Sequence, residues 1–149
     1  MKILIAVDGS AYSRAAARTV ARLFGESGTQ NQIELLHVHA PLPYPGIASV
    51  VSRKTVEDYQ RETSLEALEV AEKELGKARI AYRSTWCVGD VAAEVARFVK
   101  KNGIDLVVCG SHGHGALANL AMGSVATRLI AKVPAPVMVV TREALRTMR

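Results

Sequence analysis

The chain has 149 residues, which is close to the most common size of one folded domain, so two independent hydrophobic cores are not expected. Hydrophobic residues make up 49% of the chain and charged residues 22%, a composition that is typical of globular proteins and excludes intrinsic disorder. The net charge is +5, but the basic residues are spread along the chain without interleaved aromatic residues, so nucleic-acid binding is not predicted.

Apolar runs of strand length alternate with segments of helical periodicity along the chain. We predict strands at residues 2–7, 32–39, 79–87, 104–109 and 136–141, and helices at residues 10–24, 53–77, 91–101 and 124–132. Ser10 and Asp90 are predicted N-caps, and Gly25 is a predicted helix end. Three prolines within residues 41–45 predict a loop, and the last few residues are predicted to form a short basic tail.

This alternation of strands and helices predicts βαβ units and a parallel sheet. Right-handed crossovers between parallel strands leave few topologies. Residues 3–7 and 105–109 are almost entirely apolar, which is typical of strands that are covered on both faces. We therefore predict an α/β fold with helices on both sides of the sheet, formed by residues 1–149 as a single domain.

The sequence also predicts where the protein resides. No apolar run reaches the roughly 18 residues that a membrane helix needs. The N-terminal run is interrupted by Asp8 and Gly9, so it resembles a first strand more than a secretion signal. Cys87 and Cys109 lie in apolar strand-like contexts without a CxxC motif, which is typical of a reducing compartment. We expect a cytoplasmic protein that does not insert into membranes.

Small polar residues follow the first and fourth predicted strands, at residues 8–10 and 110–113. In an open parallel sheet, ligands bind beyond the carboxyl ends of the strands, at the point where the strand order reverses. Gly123 and Ser124 then open a helix, whose free N–H groups and dipole favour a phosphate. The pattern predicts a phosphate site, although a flexible turn followed by an ordinary helix N-cap would have the same spacing.

Two common nucleotide motifs are missing: the chain contains neither GxxxxGK(S/T) nor a GxGxxG after its first strand. The spacing of Gly110, Gly113 and the Gly123-Ser124 pair instead resembles the G-2x-G-9x-G-(S/T) motif of the universal stress protein family. The resemblance extends nearly end to end, through KILIAVDGS, ELLHV, DLVVCGSHG and GSVATRLIAKVPAPVMVV. It implies a doubly wound five-stranded parallel sheet in the order 3-2-1-4-5, and a homodimer formed through the C-terminal strand.

The resemblance also implies a site for an adenine nucleotide: ATP, AMP or ADP, with or without Mg²⁺. The implied nucleotide-binding residues are Val7, Asp8, Val38, Gly110, Gly113, Gly123, Ser124 and Val125. Asp8 would lie beside the ribose or the adenine, and Val38 would offer backbone groups to the adenine. Gly110 and Gly113 would line the path of the ribose and phosphates. Residues 123–125 would hold the phosphates through backbone N–H groups and the serine hydroxyl.

This chain departs from the family pattern at His114, where the family often has Arg or Lys, and at Gly115. A cation at residue 114 would help to hold a terminal phosphate. The expected function is that of an ATP-binding universal stress protein that acts as a regulatory or stress-response module. The alternatives are a slow ATP-hydrolysing or phosphotransferring enzyme and a scaffold that does not use nucleotide. No catalytic residue is predicted, because Asp8 is the only carboxylate expected near the phosphates.

The four histidines form two HxH pairs, at residues 37 and 39 and at residues 112 and 114. Imidazoles at this spacing can bind zinc or copper. His37 and His112 match residues that are common in the family, so we predict no metal site. Cys109 is predicted to be a small buried residue and not a reactive thiol.

Overall fold

A computed structural model of the chain describes residues 1–25, 30–41, 52–114 and 122–147. The strands are β1 (Lys2–Val7), β2 (Gln32–His39), β3 (Tyr82–Val88), β4 (Leu106–Gly110) and β5 (Val137–Val140). The helices are α1 (Ala11–Phe24), α2 (Arg53–Lys77), α3 (Val91–Asn102), α4 (Ser124–Lys132) and α5 (Arg142–Thr147). The predicted proline-rich loop lies outside the described residues from residue 42 onward.

The five strands form one parallel sheet in the order β3-β2-β1-β4-β5, which confirms the predicted fold. One face of β1 contributes Ile3 and Ile5 to a core that is covered by α1 and α2. The other face contributes Leu4 to a core that is covered by α3 and α4. Burial on both faces explains why β1 is apolar along nearly its whole length. The strand order reverses between β1 and β4, so a crevice opens beyond their carboxyl ends.

The predicted helix ends agree with the structure at both N-caps. The Ser10 hydroxyl accepts a hydrogen bond from the Ser13 amide at 3.3 Å, and the Asp90 carboxylate accepts one from the Ala93 amide at 3.0 Å. Each bond satisfies a backbone donor that the helix itself leaves without an acceptor. Among the described segments, every helix is too short or too polar to cross a membrane.

The third strand begins at Tyr82, so the prediction that it starts at residue 79 is wrong. Arg79 has a φ of 58°, and its amide donates to the Gly76 carbonyl at 3.0 Å. The Ile80 amide donates to the Leu75 carbonyl, also at 3.0 Å. These bonds close the end of α2 and reverse the chain, so the apolar side chain of Ile80 packs under the helix before the strand begins.

The C-terminal segment is helical from Arg142 to Thr147, so the prediction that the last residues form only a short basic tail is wrong. Glu143 lies in the first turn and Arg146 in the last turn, where each charge complements the helix dipole. Ala144 packs against the core that α1 covers, which gives the short helix a tertiary contact. This contact and the two end charges together stabilise a helix that the polar composition of the segment did not predict.

The α1 and α2 helices are joined by a charge pair that is partly shielded from water. Arg18 Nε donates to Glu74 Oε2 at 2.7 Å, and Lys77 Nζ lies 3.0 Å from Glu74 Oε1. The Glu74 side chain is only 8% exposed, whereas that of Arg18 is 39% exposed. The hydrogen bond from Arg18 holds the pKa of Glu74 below its ordinary value of 4.5.

Replacing Arg18 with methionine is expected to lower the free energy of unfolding by about 1 to 2 kcal/mol at pH 7, because Glu74 stays buried with one partner fewer. The lowered pKa means that this stability is present above pH 4.5 and is lost as the pH falls through the folded value. Urea unfolding of both proteins from pH 7 to pH 3.5 measures the difference. Arg53→Met is the matched control, because its ion pair with Glu57 is exposed at both ends and should contribute little.

Candidate functional site

A cavity of about 480 Å³ opens beyond the carboxyl ends of β1 and β4, where the strand order reverses. Every nucleotide-binding residue that the sequence implies lies on its wall: Val7, Asp8, Val38, Gly110, Gly113, Gly123, Ser124 and Val125. The volume is within the usual range of small-molecule sites. Residues that are far apart in the sequence are therefore brought around one concave space.

Two separate turns meet at one side of this cavity. The Gly123 amide donates to the Ser111 carbonyl at 2.6 Å, which joins the turn before α4 to the turn after β4. A Cβ at residue 123 would lie 3.1 Å from that carbonyl oxygen and 3.4 Å from the Cα of His112. Glycine at this position therefore allows the two turns to touch. Its amide is bonded to Ser111, and its contact with a phosphate stays a prediction.

The N-terminus of α4 supplies the open donors on this side. Thr127 is the first residue of this helix whose amide has a backbone acceptor within the turn, because it donates to the Gly123 carbonyl at 3.1 Å. The amides of Ser124, Val125 and Ala126 precede it and have no acceptor within the helix. All three of these residues line the cavity. Together with the helix dipole, their N–H groups make this end of the cavity favourable for an anion.

Asp8 is held in position by the turn between β1 and α1. Its Oδ1 accepts hydrogen bonds from the Ser10 amide at 2.9 Å and from the Ser13 hydroxyl at 2.6 Å. Gly9 has a φ of 82°, a left-handed conformation that favours glycine and lets the carboxylate fold back over the turn. A Cβ at Gly113 would collide with Asp8 Oδ2. The second carboxylate oxygen therefore faces the Gly113 turn, where a ligand in the cavity can reach it.

Residue 110 is a glycine for a reason that the sequence did not predict. A Cβ at this residue would collide with the Cβ of Tyr12 and would lie 3.1 Å from the His112 carbonyl oxygen. The close packing of α1 against the end of β4 therefore requires glycine at residue 110. Its backbone lines the cavity as expected, but the missing side chain makes room for the protein's own helix.

The remaining wall of the cavity is apolar and comes mainly from α3, α4 and β2. Val91, Val95 and Leu129 line it beside Val38. Sequence reasoning missed Val91 and Val95, although their four-residue spacing marks one face of a helix. The apolar wall is suited to the flat face of a heteroaromatic base, and the polar turns supply the rest of the lining.

Cys109 lies in the cavity wall and is 4% exposed. Burial raises the pKa of its thiol to about 11. The side chain is therefore a protonated thiol at neutral pH, which agrees with the prediction of a small buried residue. A nucleophilic thiolate would need the opposite shift.

The histidines do not gather around a metal. The described residues contain no group of three His, Cys, Asp or Glu side chains that could hold one. His37 is buried and donates from Nδ1 to the Val7 carbonyl at 2.8 Å, while His39 Nδ1 pairs with the Ala40 carbonyl at 2.7 Å. His114 Nε2 donates to the Asp8 carbonyl at 2.9 Å and so ties the β4 turn to the β1 turn.

His37 is expected to make stability depend on pH. Burial lowers its pKa below the ordinary value of 6.5, so the unfolded chain binds the proton more tightly than the folded chain does. Stability should therefore fall as the pH drops from 6.5 toward the folded pKa, with a slope approaching about 1.4 kcal/mol per pH unit. Chemical unfolding between pH 7.5 and pH 5 measures this slope. His37→Asn keeps a donor but does not titrate, so an unchanged slope in that variant would reject the assignment.

Comparison with known proteins shows which family this chain resembles. The universal stress protein family model matches residues 1–141. Universal stress protein MJ0531 of Methanocaldococcus jannaschii is 28% identical over 141 residues, with 95% of this chain and 82% of that protein covered. The structure of MJ0577 has a TM-score of 0.78 at 26% identity and covers 95% of both chains. A family protein of Arabidopsis thaliana with AMP bound has a TM-score of 0.68 at 19% identity, covering 95% of this chain and 92% of that one.

Proposed function

This chain belongs to the universal stress protein family, and on that premise we propose that its cavity binds an adenine nucleotide and that binding regulates a stress-response function. One observation carries the proposal: the turn at residues 110–114 and the start of α4 meet at a cavity whose remaining wall is largely apolar. The AMP bound by the Arabidopsis thaliana protein, which shares the fold, supports an adenine nucleotide as the ligand.

The chemistry of the walls suggests how such a ligand lies. The adenine packs against the apolar wall beside Val38 and Leu129. The phosphate next to the ribose accepts hydrogen bonds from the amides of Ser124 and Val125. Asp8 Oδ2 accepts from a ribose hydroxyl, because Oδ1 is already bonded to Ser10 and Ser13. Each polar group of the ligand then meets a partner of matching character.

The hydrogen bonds that Asp8 already makes favour a regulatory role over a catalytic one. It is the only carboxylate among the described residues of the cavity wall, and two hydrogen bonds hold its Oδ1. A general base needs a free position beside the attacking water, and the one free oxygen of Asp8, Oδ2, accepts from the ribose in this arrangement. A Mg²⁺ ion would find one open carboxylate oxygen here, so it would depend on oxygens of the nucleotide itself. The arrangement is suited to orienting a ligand and not to hydrolysing it.

Three measurements on the 149-residue chain test this function. Mass spectrometry of the small molecule released when freshly purified protein is denatured is expected to identify an adenine nucleotide. Calorimetric titration is expected to give one site per chain. Overnight incubation with ATP should show turnover below about one per minute, far under the range of ordinary enzymes. Failure of every adenine nucleotide to bind at millimolar concentration would reject the proposal.

We also propose that the protein is a homodimer formed through β5. This strand lies at one end of the sheet and is apolar throughout, with the sequence VMVV. The carbonyls of Pro136 and Val140 accept hydrogen bonds from Val107 and Ser111. Since successive residues of a strand point in opposite directions, the amides of Val137 and Val139 are directed away from β4. An apolar edge with open donors is suited to pairing with a second copy.

Sedimentation at micromolar concentration is expected to show a dimer for the natural chain and a monomer for Val139→Pro. Proline removes the outward amide but no hydrogen bond to β4. Ile130→Ser, on the exposed side of α4, tests whether the neighbouring helix contributes. A natural chain that sediments as a monomer would contradict the proposed dimer.

Two broader proposals follow from the same features. Cys87 and Cys109 are both free thiols, which supports a cytoplasmic location. The two hydrophobic cores share one sheet, which supports residues 1–149 as a single nucleotide-binding domain. Fractionation of the source cells tests the first proposal, and a single unfolding transition tests the second.

A further inference from the structure

We infer that this site holds one phosphate group, so that it selects an adenosine monophosphate over ATP. The inference rests on the proposed function and narrows its ligand class. It comes from the charges around the cavity, from the donors that are already bonded, and from the amino-acid sequence of the surrounding turns.

The cavity wall carries no fixed positive charge. Among its described residues, Asp8 is negative and none is Lys or Arg. Three phosphates carry several negative charges, which proteins usually balance with Lys, Arg or a metal ion. In this cavity, a triphosphate would meet one carboxylate and no compensating side-chain cation.

The sequence extends this observation to the whole neighbouring segment. No Lys or Arg occurs from Gly103 to Thr127, a stretch that includes the turn after β4 and the start of α4. The next cation, Arg128, is paired with Asp90 at the N-terminus of α3. Its guanidinium is held at another helix end and does not line the cavity. Among the described residues, no side-chain cation lines the cavity to bind a second or third phosphate.

His114 does not replace the missing cation. Its Nε2 donates to the Asp8 carbonyl at 2.9 Å. This nitrogen is therefore not available to a phosphate while that bond is intact. The amides at the start of α4 remain, and one helix N-terminus is equivalent to about half a positive charge. That is sufficient for one phosphate and poorly matched to three.

Calorimetric titration of the 149-residue chain with adenosine, AMP, ADP and ATP tests the inference, at constant ionic strength and both with and without Mg²⁺. AMP is expected to bind more tightly than adenosine, because the α4 amides contact its phosphate. ATP is expected to bind more weakly than AMP. An affinity for ATP equal to or above that for AMP would overturn the inference while leaving the proposed function intact. If no adenine ligand binds, both fail.

A charge added at residue 114 provides a second readout. His114→Arg is expected to raise the ATP-to-AMP affinity ratio by about tenfold, which is the size of one charge-assisted contact. His114→Gln removes the imidazole without adding charge and is the matched control, whose ratio should not favour ATP. An unchanged ratio in the arginine variant, or an equal rise in the glutamine variant, would contradict the charge argument.

Discussion

Replacing Gly123 with valine is expected to weaken adenine-nucleotide binding by at least about a hundredfold. The new Cβ would press on the Ser111 carbonyl oxygen at 3.1 Å and on His112 Cα at 3.4 Å. Both contacts are backbone atoms of the facing turn, so the two turns must separate. The amides of α4 would then move away from the position that the phosphate occupies, and several charge-assisted hydrogen bonds would be lost together.

Gly76→Val is the matched control for this variant. Gly76 lies in α2 and is exposed, and a Cβ there would contact nothing within 4 Å. The same substitution at that position should leave nucleotide affinity unchanged, as measured by calorimetric titration with AMP. Circular dichroism checks that both variants are folded. Full affinity in folded Gly123→Val would show that contact between the two turns is not needed for binding.

Replacing Gly110 with alanine is expected to destabilise the fold by about 2 to 3 kcal/mol, the usual cost of forcing extra volume into a packed region. The new Cβ would collide with the Cβ of Tyr12, and α1 would have to shift from the end of β4. Urea unfolding measures the loss. Gly76→Ala is the control and should be neutral or slightly stabilising, because alanine favours helix where space is open.

A double-mutant cycle tests the cause of this loss. The colliding atom is the Tyr12 Cβ, so Tyr12→Ala retains it and should give no relief to Gly110→Ala. Tyr12→Gly removes the atom, so adding Gly110→Ala in that background should cost much less than in the natural chain. Equal relief from the two Tyr12 variants would show that the aromatic ring, and not the backbone approach, makes alanine costly at residue 110.

The fold could be predicted from the sequence because the central strands β1 and β4 are marked by nearly continuous apolar runs and strands alternate with helices along the chain. The β1 and β4 runs are covered on both faces and have clear ends at Asp8 and Gly110. The predicted start of β3 was wrong because an apolar residue closes a helix there and is not part of the strand. Ile80 continues the pattern of β3, but its amide closes α2 through the Leu75 carbonyl. Helix α5 could not be predicted either, because its stability depends on a tertiary contact.

The sequence predicted which residues line the cavity better than it predicted what each of them contacts. Spacing placed Gly123 and Ser124 at the opening of a helix, and the structure brings them to the cavity. Spacing could not reveal that the Gly123 amide donates to Ser111, or that Gly110 makes room for Tyr12. These facts depend on how distant segments meet. Gly123 lets the two turns of the cavity touch, and Gly110 lets α1 pack against the end of β4.

A crystal structure of the 149-residue chain grown with saturating AMP would show directly whether the cavity is the nucleotide site. We expect adenine against the apolar wall beside Val38, and the phosphate within hydrogen-bond distance of the Ser124 and Val125 amides. A cavity without nucleotide under those conditions, or AMP bound elsewhere on the molecule, would contradict it.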